Sequence, residues 1–157
     1  MTKISVLIPC YNASLYIGTA LDSVLAQTYP NIEIIVVNDG SRDRSGEVLA
    51  AYADRGVTII HQSNQGQCAA ANRGFAASSG ELIKFFDADD VMSVDHLGRQ
   101  VERLGKRRDA VAMGEWARFH GDDLTEARFE SLPMYRDARP IDWLVRFFGI
   151  LFVPLYS

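Results

Sequence analysis

Cysteine is scarce in this sequence, which also lacks an excess of basic residues. Its two cysteines, Cys10 and Cys68, have neither the number nor the spacing of a disulfide framework or a CxxC metal site. Lysine and arginine together number 16 against 20 acidic residues, so the net charge is -4 and no basic field exists to attract DNA or RNA. We therefore expect no nucleic-acid partner and, from the cysteines, a reducing compartment.

Long apolar runs and an export signal are also missing. Met1, Thr2 and Lys3 lead directly into an alternating apolar segment, without the basic and apolar regions of a signal peptide. The longest apolar run, Phe147–Leu155, is too short for a membrane span of about 20 residues and has Arg146 on its flank. These absences predict a cytoplasmic protein, and they leave peripheral association with the inner face of a membrane open.

What the sequence does contain is a regular alternation of strand and helix patterns. With 157 residues, of which 48% are hydrophobic, the chain can bury one core, so we predict a single domain over residues 1–157. Short runs rich in Val, Ile and Phe predict four strands, over Ile4–Ile8, Ile32–Val37, Val57–Ile60 and Leu82–Phe86. Helical spacing predicts helices over Ile17–Leu25, Val48–Ala53 and Gln67–Ser79, after Ser93, and over Trp143–Leu151.

The order of these elements is βαβαβαβ, which predicts an α/β fold with a mostly parallel sheet and helices on both faces. Asn12 or Ser14 is the expected cap of the first helix, and Ala110–Met113 is a candidate fifth strand. An exposed apolar stripe at Trp143–Leu151 would favour a homo-oligomer. No Walker A loop, no G-x-G-x-x-G after the first strand and no G-x-S-x-G is present, so the common nucleotide-hydrolase, dinucleotide and esterase motifs give no support.

Polar residues follow each of the four predicted strands at its carboxyl end. They are Pro9–Asn12, Asn38–Ser41, His61–Gly66 and Asp87–Asp90. In an open parallel sheet these ends share one edge, and ligands bind there because loops converge and helix N-termini point outward. The sequence therefore predicts a binding site at this edge.

The acidic cluster after the fourth strand has two interpretations. Asp87, Asp89 and Asp90 repel one another unless a cation or strong hydrogen-bond donors compensate. Mg²⁺ commonly takes one or two protein carboxylates and completes its shell with water and substrate phosphates, which suits Asp89 as a single ligand of a metal-diphosphate complex. The alternative is a solvated acidic turn before the helix that follows Ser93.

Asp39 and Tyr11 likewise have two interpretations each. Asp39 is either an ordinary turn residue that caps the next helix or an acceptor for the imide N–H of a uracil ring. Tyr11 is either a packed aromatic at the end of a strand or a stacking platform for that ring. Considered together, the two residues favour a nucleotide.

These motifs resemble, in order, those of the family-two inverting glycosyltransferases. The matching segments are Ile8–Asn12, Asn38–Ser41, Asn64–Gly66 with Asn72 and Gly74, and Gly80–Glu81 leading to Phe86–Asp90. The resemblance covers residues 1 to about 115 well and the remainder poorly. It implies a GT-A fold and a nucleotide-diphosphate sugar donor, expected to be a UDP-sugar, with a saccharide, lipid or protein as the acceptor.

The resemblance also assigns roles to residues. It implies that Pro9, Tyr11 and Asp39 hold the nucleoside, that Asp87 lies near the ribose, and that Asn12 and Ala88 complete the nucleotide site. It further implies that Asp89 ligates Mn²⁺ or Mg²⁺, which neutralises the departing nucleoside diphosphate.

Some positions depart from the family pattern. Asn38 stands where the family often has a second Asp, and Ala71 precedes Asn72 where many members carry Arg. Arg73 cannot take that place, because two residues along a helix turn the side chain to another face. The expected contact with a phosphate is thus left without a residue.

The general base that an inverting transfer needs is not identified in the sequence. Glu115, Asp122 and Asp123 are the nearest carboxylates, and none lies in a matching motif. The chain resembles the donor-binding part of such an enzyme without its acceptor half, so alone it is expected to bind donor and transfer little. The alternatives are a non-catalytic nucleotide-sugar binding or assembly module and a nucleotidyltransferase.

Overall fold

The computed structural model describes residues 1–107, 110–114, 117–118 and 127–129. The chain divides into two compact units, Met1–Gly98 and Arg99–Ser157, with the boundary inside a helix. The first unit contains four strands, β1 Ile4–Cys10, β2 Ile32–Asp39, β3 Val57–Gln62 and β4 Leu82–Phe85. Its helices are α1 Ile17–Leu25, α2 Ser45–Ala50 and α3 Gln67–Ala77, and α4 His96–Leu104 begins in it.

The four strands form one parallel sheet in the order β3-β2-β1-β4, which confirms the predicted α/β class. β1 is longer than its apolar alternation predicted, because Pro9 and Cys10 continue the pairing with β2 opposite Val37 and Asn38. Although β1 is a central strand, Pro9 is tolerated in it. β4 pairs with β1 only as far as Leu7, so no hydrogen bond to β4 requires a backbone N–H at position 9.

Both faces of the sheet are covered, as the run of apolar residues in each strand predicted. On one face Leu7, Ile35 and Val37 pack with Ala70 of α3. The small residues of α3 let this helix lie close to the sheet. At Gly74 the helix is so near that an added Cβ would already be in van der Waals contact with Val37 Cγ2, at 3.5 Å. The side chains that alternate toward the opposite face are also buried: Ile4, Val6, Ile8, Ile34 and Val36.

Two of the predicted helices differ in detail from the structure. α1 has the predicted bounds and buries Ile17, Ala20, Leu21 and Val24, but its N-cap is Tyr16 and no side chain caps it. Asn12 and Ser14 are therefore not its caps. α2 ends at Ala50, and a 3-10 turn over Ala53–Arg55 follows before Gly56, so the predicted Val48–Ala53 stripe is not one continuous helix. The hydroxyl of Tyr52 donates to the carbonyl of Gly18 at 3.0 Å, which fixes Tyr52 on α1.

The second unit contains a two-stranded antiparallel sheet of β5 Ala117–Arg118 and β6 Arg128–Phe129. The prediction of a fifth strand over Ala110–Met113 is wrong, since residues 110–114 are described and form no strand. The side chain of Gln100 donates to the carbonyl of Ala112, with its Nε2 3.4 Å away, and so uses a backbone acceptor that pairing with another strand would need. The Trp143–Leu151 stripe lies outside the described residues, and the single-domain prediction stays a prediction.

None of the helices in the described part of the chain is long and apolar enough to cross a membrane.

Candidate functional site

A cleft of about 490 Å³ lies at the carboxyl ends of β1, β2 and β4, within the first unit. Its lining residues come from the ends of these strands, from the loops that follow them and from the start of α3: Pro9, Cys10, Tyr11, Asn12, Ala13, Tyr16, Asp39, Asn64, Gly66, Gln67, Asp87, Ala88 and Asp89. Every residue predicted to bind the nucleotide or the metal is in this set. The structure thus brings the predicted site residues together, as the shared edge of a parallel sheet requires.

Asp39 is the most buried polar group of the cleft, with 2% of its surface exposed. Its Oδ1 accepts hydrogen bonds from Gln62 Nε2 at 2.7 Å and from the backbone N–H of Gln65 at 2.8 Å, and its Oδ2 accepts from the N–H of Gly66 at 2.8 Å. Burial opposes ionisation of this carboxyl, but the three donors outweigh it and lower the pKa of Asp39. Asp39 is thus an ionised acceptor at neutral pH.

Asn12 links the β1–α1 loop to the β2–α2 loop. Its backbone N–H donates to Ser41 Oγ at 3.1 Å, and its Oδ1 accepts from the N–H of Arg42 at 2.8 Å. Its φ of 50° is left-handed, a conformation that asparagine tolerates better than most residues. Asn12 therefore shapes the cleft through its backbone and side chain together, which its predicted role as a helix cap did not foresee.

A second pair of contacts strengthens this link. The N–H of Ala13 donates to Ser45 Oγ at 2.9 Å, and the N–H of Ser14 donates to Asp43 Oδ2 at 3.0 Å. The Ser45 hydroxyl has the largest effect on the pKa of Asp43 and lowers it. Burial opposes this, but the Ser14 and Ser45 amides lower the pKa further, so that it lies far below its usual range. One wall of the cleft is therefore held by a network of hydrogen bonds between two loops.

The acidic turn after β4 forms the other side of the cleft. Asp87 and Asp89 are exposed and line the cleft, Ala88 between them is buried, and Gln67 Nε2 donates to Asp87 Oδ1 at 3.1 Å. Asp90 is not among the lining residues, and burial together with the charges of Asp87 and Asp89 raises its pKa. The mutual repulsion predicted for this cluster is therefore present.

The charge of the cleft is one-sided. Asp39, Asp87 and Asp89 line it, and among the described lining residues there is no Lys, Arg or His. The described part of the chain has no group of three or more His, Cys, Asp or Glu side chains that could hold a metal ion unaided. The oxygen donors present suit a hard divalent cation that takes one or two carboxylates and shares its remaining positions with a phosphorylated ligand.

Six lining residues were given no individual role from the sequence: Cys10, Ala13, Tyr16, Asn64, Gly66 and Gln67. Gln67 follows Asn64–Gly66 and reaches Asp87, and Cys10 lies between Pro9 and Tyr11. Tyr16 belongs to no sequence motif. In the structure it precedes α1 and is 54% exposed. Only the three-dimensional structure shows that this aromatic residue, five positions after Tyr11, lines the same cleft.

The remaining sequence predictions have mixed outcomes. Cys10 is buried, and Cys68 is exposed near the start of α3. Asn38 accepts a hydrogen bond from the N–H of Ser41 at 3.0 Å and so closes the turn after β2. Arg73 is exposed and, like Ala71, does not line the cleft. Glu115, Asp122 and Asp123 lie outside the described residues.

Residues 5–154 match the family model described as glycosyl transferase family 2. The chain belongs to this family. Among relatives, it is 42% identical over 118 residues to the putative glycosyltransferase EpsH of Bacillus subtilis, which covers 74% of this chain and 34% of the relative. The family match runs past residue 115, where the sequence motifs end.

Two solved structures share the fold. The crystal structure of S. aureus TarS 1-349 in complex with UDP matches with a TM-score of 0.62 and 27% identity, over 65% of this chain and 32% of that one. The mannosyltransferase PcManGT from Pyrobaculum calidifontis, in complex with GDP-Man and Mn2+, matches with a TM-score of 0.64 and 25% identity, over 68% and 33%. The predicted GT-A fold is confirmed, and the chain spans about a third of the length of each protein named here.

Proposed function

We propose that the cleft binds a nucleoside-diphosphate sugar together with Mn²⁺ or Mg²⁺, and that the whole protein transfers the sugar to an acceptor. The observation that carries this proposal is the juxtaposition, in one cleft, of a buried ionised acceptor, exposed tyrosines and exposed carboxylates. Each of these suits a different part of such a donor. The UDP and GDP-Man complexes of the two similar structures support the same ligand class.

The nucleoside end of the proposed donor lies against Asp39, Tyr11 and Pro9. Tyr11 is 48% exposed although it lines a cleft, so its ring offers a free face for stacking. Asp39 lines the same cleft and, as a carboxylate, only accepts hydrogen bonds, which complements the ring N–H of uracil or guanine. Asn12 holds the loop that carries Tyr11 and contributes to the nucleoside site through that loop.

The diphosphate end of the proposed donor lies toward Asp87, Ala88 and Asp89. A diphosphate near these carboxylates would be repelled, because the described lining residues contain no basic side chain to balance it. Asp89 would hold a divalent ion, whose charge would offset this repulsion. When bound, such an ion supplies Lewis-acid stabilisation of the departing nucleoside diphosphate.

This chain's own residues have the remaining tasks. Gln67 holds the Asp87 carboxylate at the cleft wall through the hydrogen bond from its Nε2 at 3.1 Å, in the region proposed for the ribose. Asp39 is 2% exposed, so its carboxylate is shielded from bulk water. Together these residues orient a donor and leave its sugar toward the open side of the cleft.

Calorimetric titration of the chain with UDP tests the proposal. We expect UDP to bind in the presence of Mn²⁺ and to bind at least about 10-fold more weakly after EDTA treatment, because Asp89 then faces the diphosphate as an uncompensated charge. Asp89→Asn should abolish the dependence on metal while leaving the melting temperature unchanged, since an exposed loop carboxylate carries little core energy.

Asp90→Asn is the matched control. It removes the same charge one residue along the chain, from a position that does not line the cleft. It should keep most of the metal dependence. Equal affinity for UDP with and without EDTA in the wild-type protein would refute the metal part of the proposal, and no binding of UDP or GDP under any condition would refute the whole.

The finer predictions belong to the same proposal. They are an inverting transfer from a UDP-sugar, a saccharide, lipid or protein acceptor, and action on the cytoplasmic side, with peripheral membrane association and a homo-oligomer left open.

A further inference from the structure

Gln62, the last residue of β3, is the only side chain among the hydrogen-bond donors to Asp39 that the structure describes. Its Nε2 lies 2.7 Å from Asp39 Oδ1, and the other two donors are backbone amides of the β3–α3 loop. All three are neutral amides, so no cation compensates the buried charge at this contact. Among the described donors to Asp39, Gln62 is thus the one that a side-chain substitution removes without altering the backbone.

The number of acceptor positions on Asp39 decides whether the carboxylate can still accept a hydrogen bond from a ligand. An ionised carboxylate has about four lone-pair sites, two on each oxygen. Gln62 and the Gln65 amide occupy those of Oδ1, and the Gly66 amide occupies one of those on Oδ2. Among the contacts of the described residues, one acceptor position on Asp39 Oδ2 therefore stays available, and Asp39 lines the cleft.

We propose that Gln62 is a positioning residue that keeps Asp39 a pure hydrogen-bond acceptor, and thereby restricts the cleft to nucleotides whose base presents a ring N–H. This inference rests on the proposed function and deepens it, because it names how the base is selected. Gln62 is absent from the cleft lining and so acts through Asp39, without touching the base.

The physical reason is the burial of Asp39. A carboxyl that is almost fully buried favours its protonated form unless donors stabilise the anion. A protonated carboxyl donates a hydrogen bond, so it would face the ring N–H of uracil badly and the unprotonated ring nitrogen of cytosine well. Removing the Gln62 donor therefore shifts the preference of the site away from uracil.

The first test compares UDP with CDP, which differ only at this edge of the base. Gln62→Leu removes the donor and keeps a side chain of similar size, and we expect the ratio of UDP to CDP affinity to fall about 10-fold. Gln65→Leu is the matched control, because Gln65 contacts Asp39 through its backbone N–H and its side chain lies near the carbonyl of Ser63 instead. That control should keep the wild-type ratio.

The second test uses Gln62→Glu, which preserves the shape of the side chain and does not depend on the folding of Gln62→Leu. At pH 8 the new carboxylate repels Asp39, so UDP affinity should fall about 10-fold or more. As the pH is lowered to about 5.5, a shared proton restores a hydrogen bond between the two carboxyls, and part of the affinity should return. Gln65→Glu places the same charge nearby and should show no such recovery.

The other titratable groups located near Asp39 are the same in all these variants. Asp87 and Asp89 line the same cleft, and His61 lies next to Gln62 on β3 with its Nδ1 3.3 Å from Asn38 Nδ2. Their effect on the pH profile, and that of the phosphates of UDP, is therefore removed by comparing Gln62→Glu with Gln65→Glu at each pH.

The outcomes separate this inference from the function on which it rests. A wild-type chain that binds UDP, with an unchanged UDP to CDP ratio in Gln62→Leu or identical pH profiles for Gln62→Glu and Gln65→Glu, overturns the role of Gln62 alone. A wild-type chain that binds no nucleotide overturns both. A lower melting temperature in both Gln62 variants without a change in base preference would also count against the inference, since it would show a merely structural contact.

Discussion

At the scale of single residues, Gly40 shows how closely the loops around Asp39 approach one another. Its φ is +70°, and a Cβ at this position would lie 2.7 Å from the backbone nitrogen of Asn64. Asn64 begins the segment whose next two amides donate to Asp39. A side chain at position 40 would therefore push away the loop that holds the buried carboxylate.

Gly40→Ala should consequently both destabilise the protein and weaken nucleotide binding. Gly56 is a matched control, because its φ of +82° imposes the same strain while nothing lies within 4 Å of its missing Cβ. We expect Gly56→Ala to cost about 1–2 kcal/mol of unfolding free energy and to leave UDP affinity unchanged. Gly40→Ala should cost more and reduce UDP affinity about 10-fold. Equal effects of the two substitutions on both measurements would contradict this account.

At the scale of secondary-structure elements, the sequence predicts the sheet well and the contacts between loops poorly. The strands follow from β-branched runs such as Ile32–Val37, whose side chains from Ile34 onward are buried on both faces. That Asp39 and Asp89 lie at one edge then follows from parallel topology alone. The contact of Gln62 with Asp39 joins the last residues of β3 and β2, which are register partners, but no local pattern in the sequence signals that these two side chains bond.

Asn12 does not cap α1, although its position before the helix predicts that it does. An asparagine before an apolar helical stripe is a common capping pattern, but Asn12 finds its partner in Arg42, in a loop that follows another strand. Such competition between local and distant hydrogen bonds is decided by tertiary structure. The residues that shape the cleft are thus the ones whose local pattern is least informative.

The amino ends of β1 and β2 carry a second polar cluster, centred on Glu33. Its carboxylate accepts from Ser5 Oγ, from Lys3 Nζ at 2.9 Å and from the N–H of Ser79 at 2.9 Å. Burial opposes ionisation, but these hydrogen bonds prevail and lower the pKa of Glu33 to about 2. Gly80 completes the cluster, because its N–H donates to Ser5 Oγ at 2.8 Å and a Cβ there would clash with Ser5.

This cluster should make stability depend on acid in a defined range. The pKa of Glu33 is about 2 in the folded protein against 4.5 for the free group, so the stabilisation is complete above pH 4.5 and is lost as the pH falls toward 2. After allowance for solvent screening we expect it to amount to roughly 1–2 kcal/mol. Urea titrations at pH 7 and pH 3 should show a loss of stability that is smaller in Glu33→Gln than in the wild type by about this amount, since the lowered pKa values of Asp39 and Asp43 act in both proteins.

Glu47→Gln provides the control for that measurement. Glu47 pairs with Arg44 at 2.9 Å, but both side chains are mostly exposed, and such pairs contribute little to stability. Its pH profile should match that of the wild type. A Glu33→Gln variant that keeps the wild-type acid dependence would show that other carboxylates cause it.

At the scale of the first unit, the two polar clusters lie at opposite edges of one sheet. β1 runs from Ile4 to Cys10, which separates its ends by about 20 Å, and its buried residues lie between the clusters. Groups this far apart with no shared partner are expected to act independently. Stability at one edge and ligand binding at the other should therefore respond to different substitutions.

Glu33→Gln should lower the unfolding free energy at pH 7 and leave the affinity for UDP with Mn²⁺ within about twofold of the wild type. Asp89→Asn should do the reverse, and the double variant should combine the two effects additively. Chemical unfolding and calorimetric titration of the four proteins provide the measurements. A loss of UDP affinity in Glu33→Gln much beyond twofold would show that the sheet couples its two edges.

A nucleotide that enters the cleft meets a wall whose shape is already fixed. The hydrogen bonds of Asn12, Ala13 and Ser14 with the β2–α2 loop hold this backbone through the protein's own contacts. Ordering a free residue costs about 1–2 kcal/mol of conformational entropy, so a wall set during folding spares the bound state several times that amount. Association on this side of the cleft is then governed by diffusion and by the arrival of a cation, without a slow loop closure.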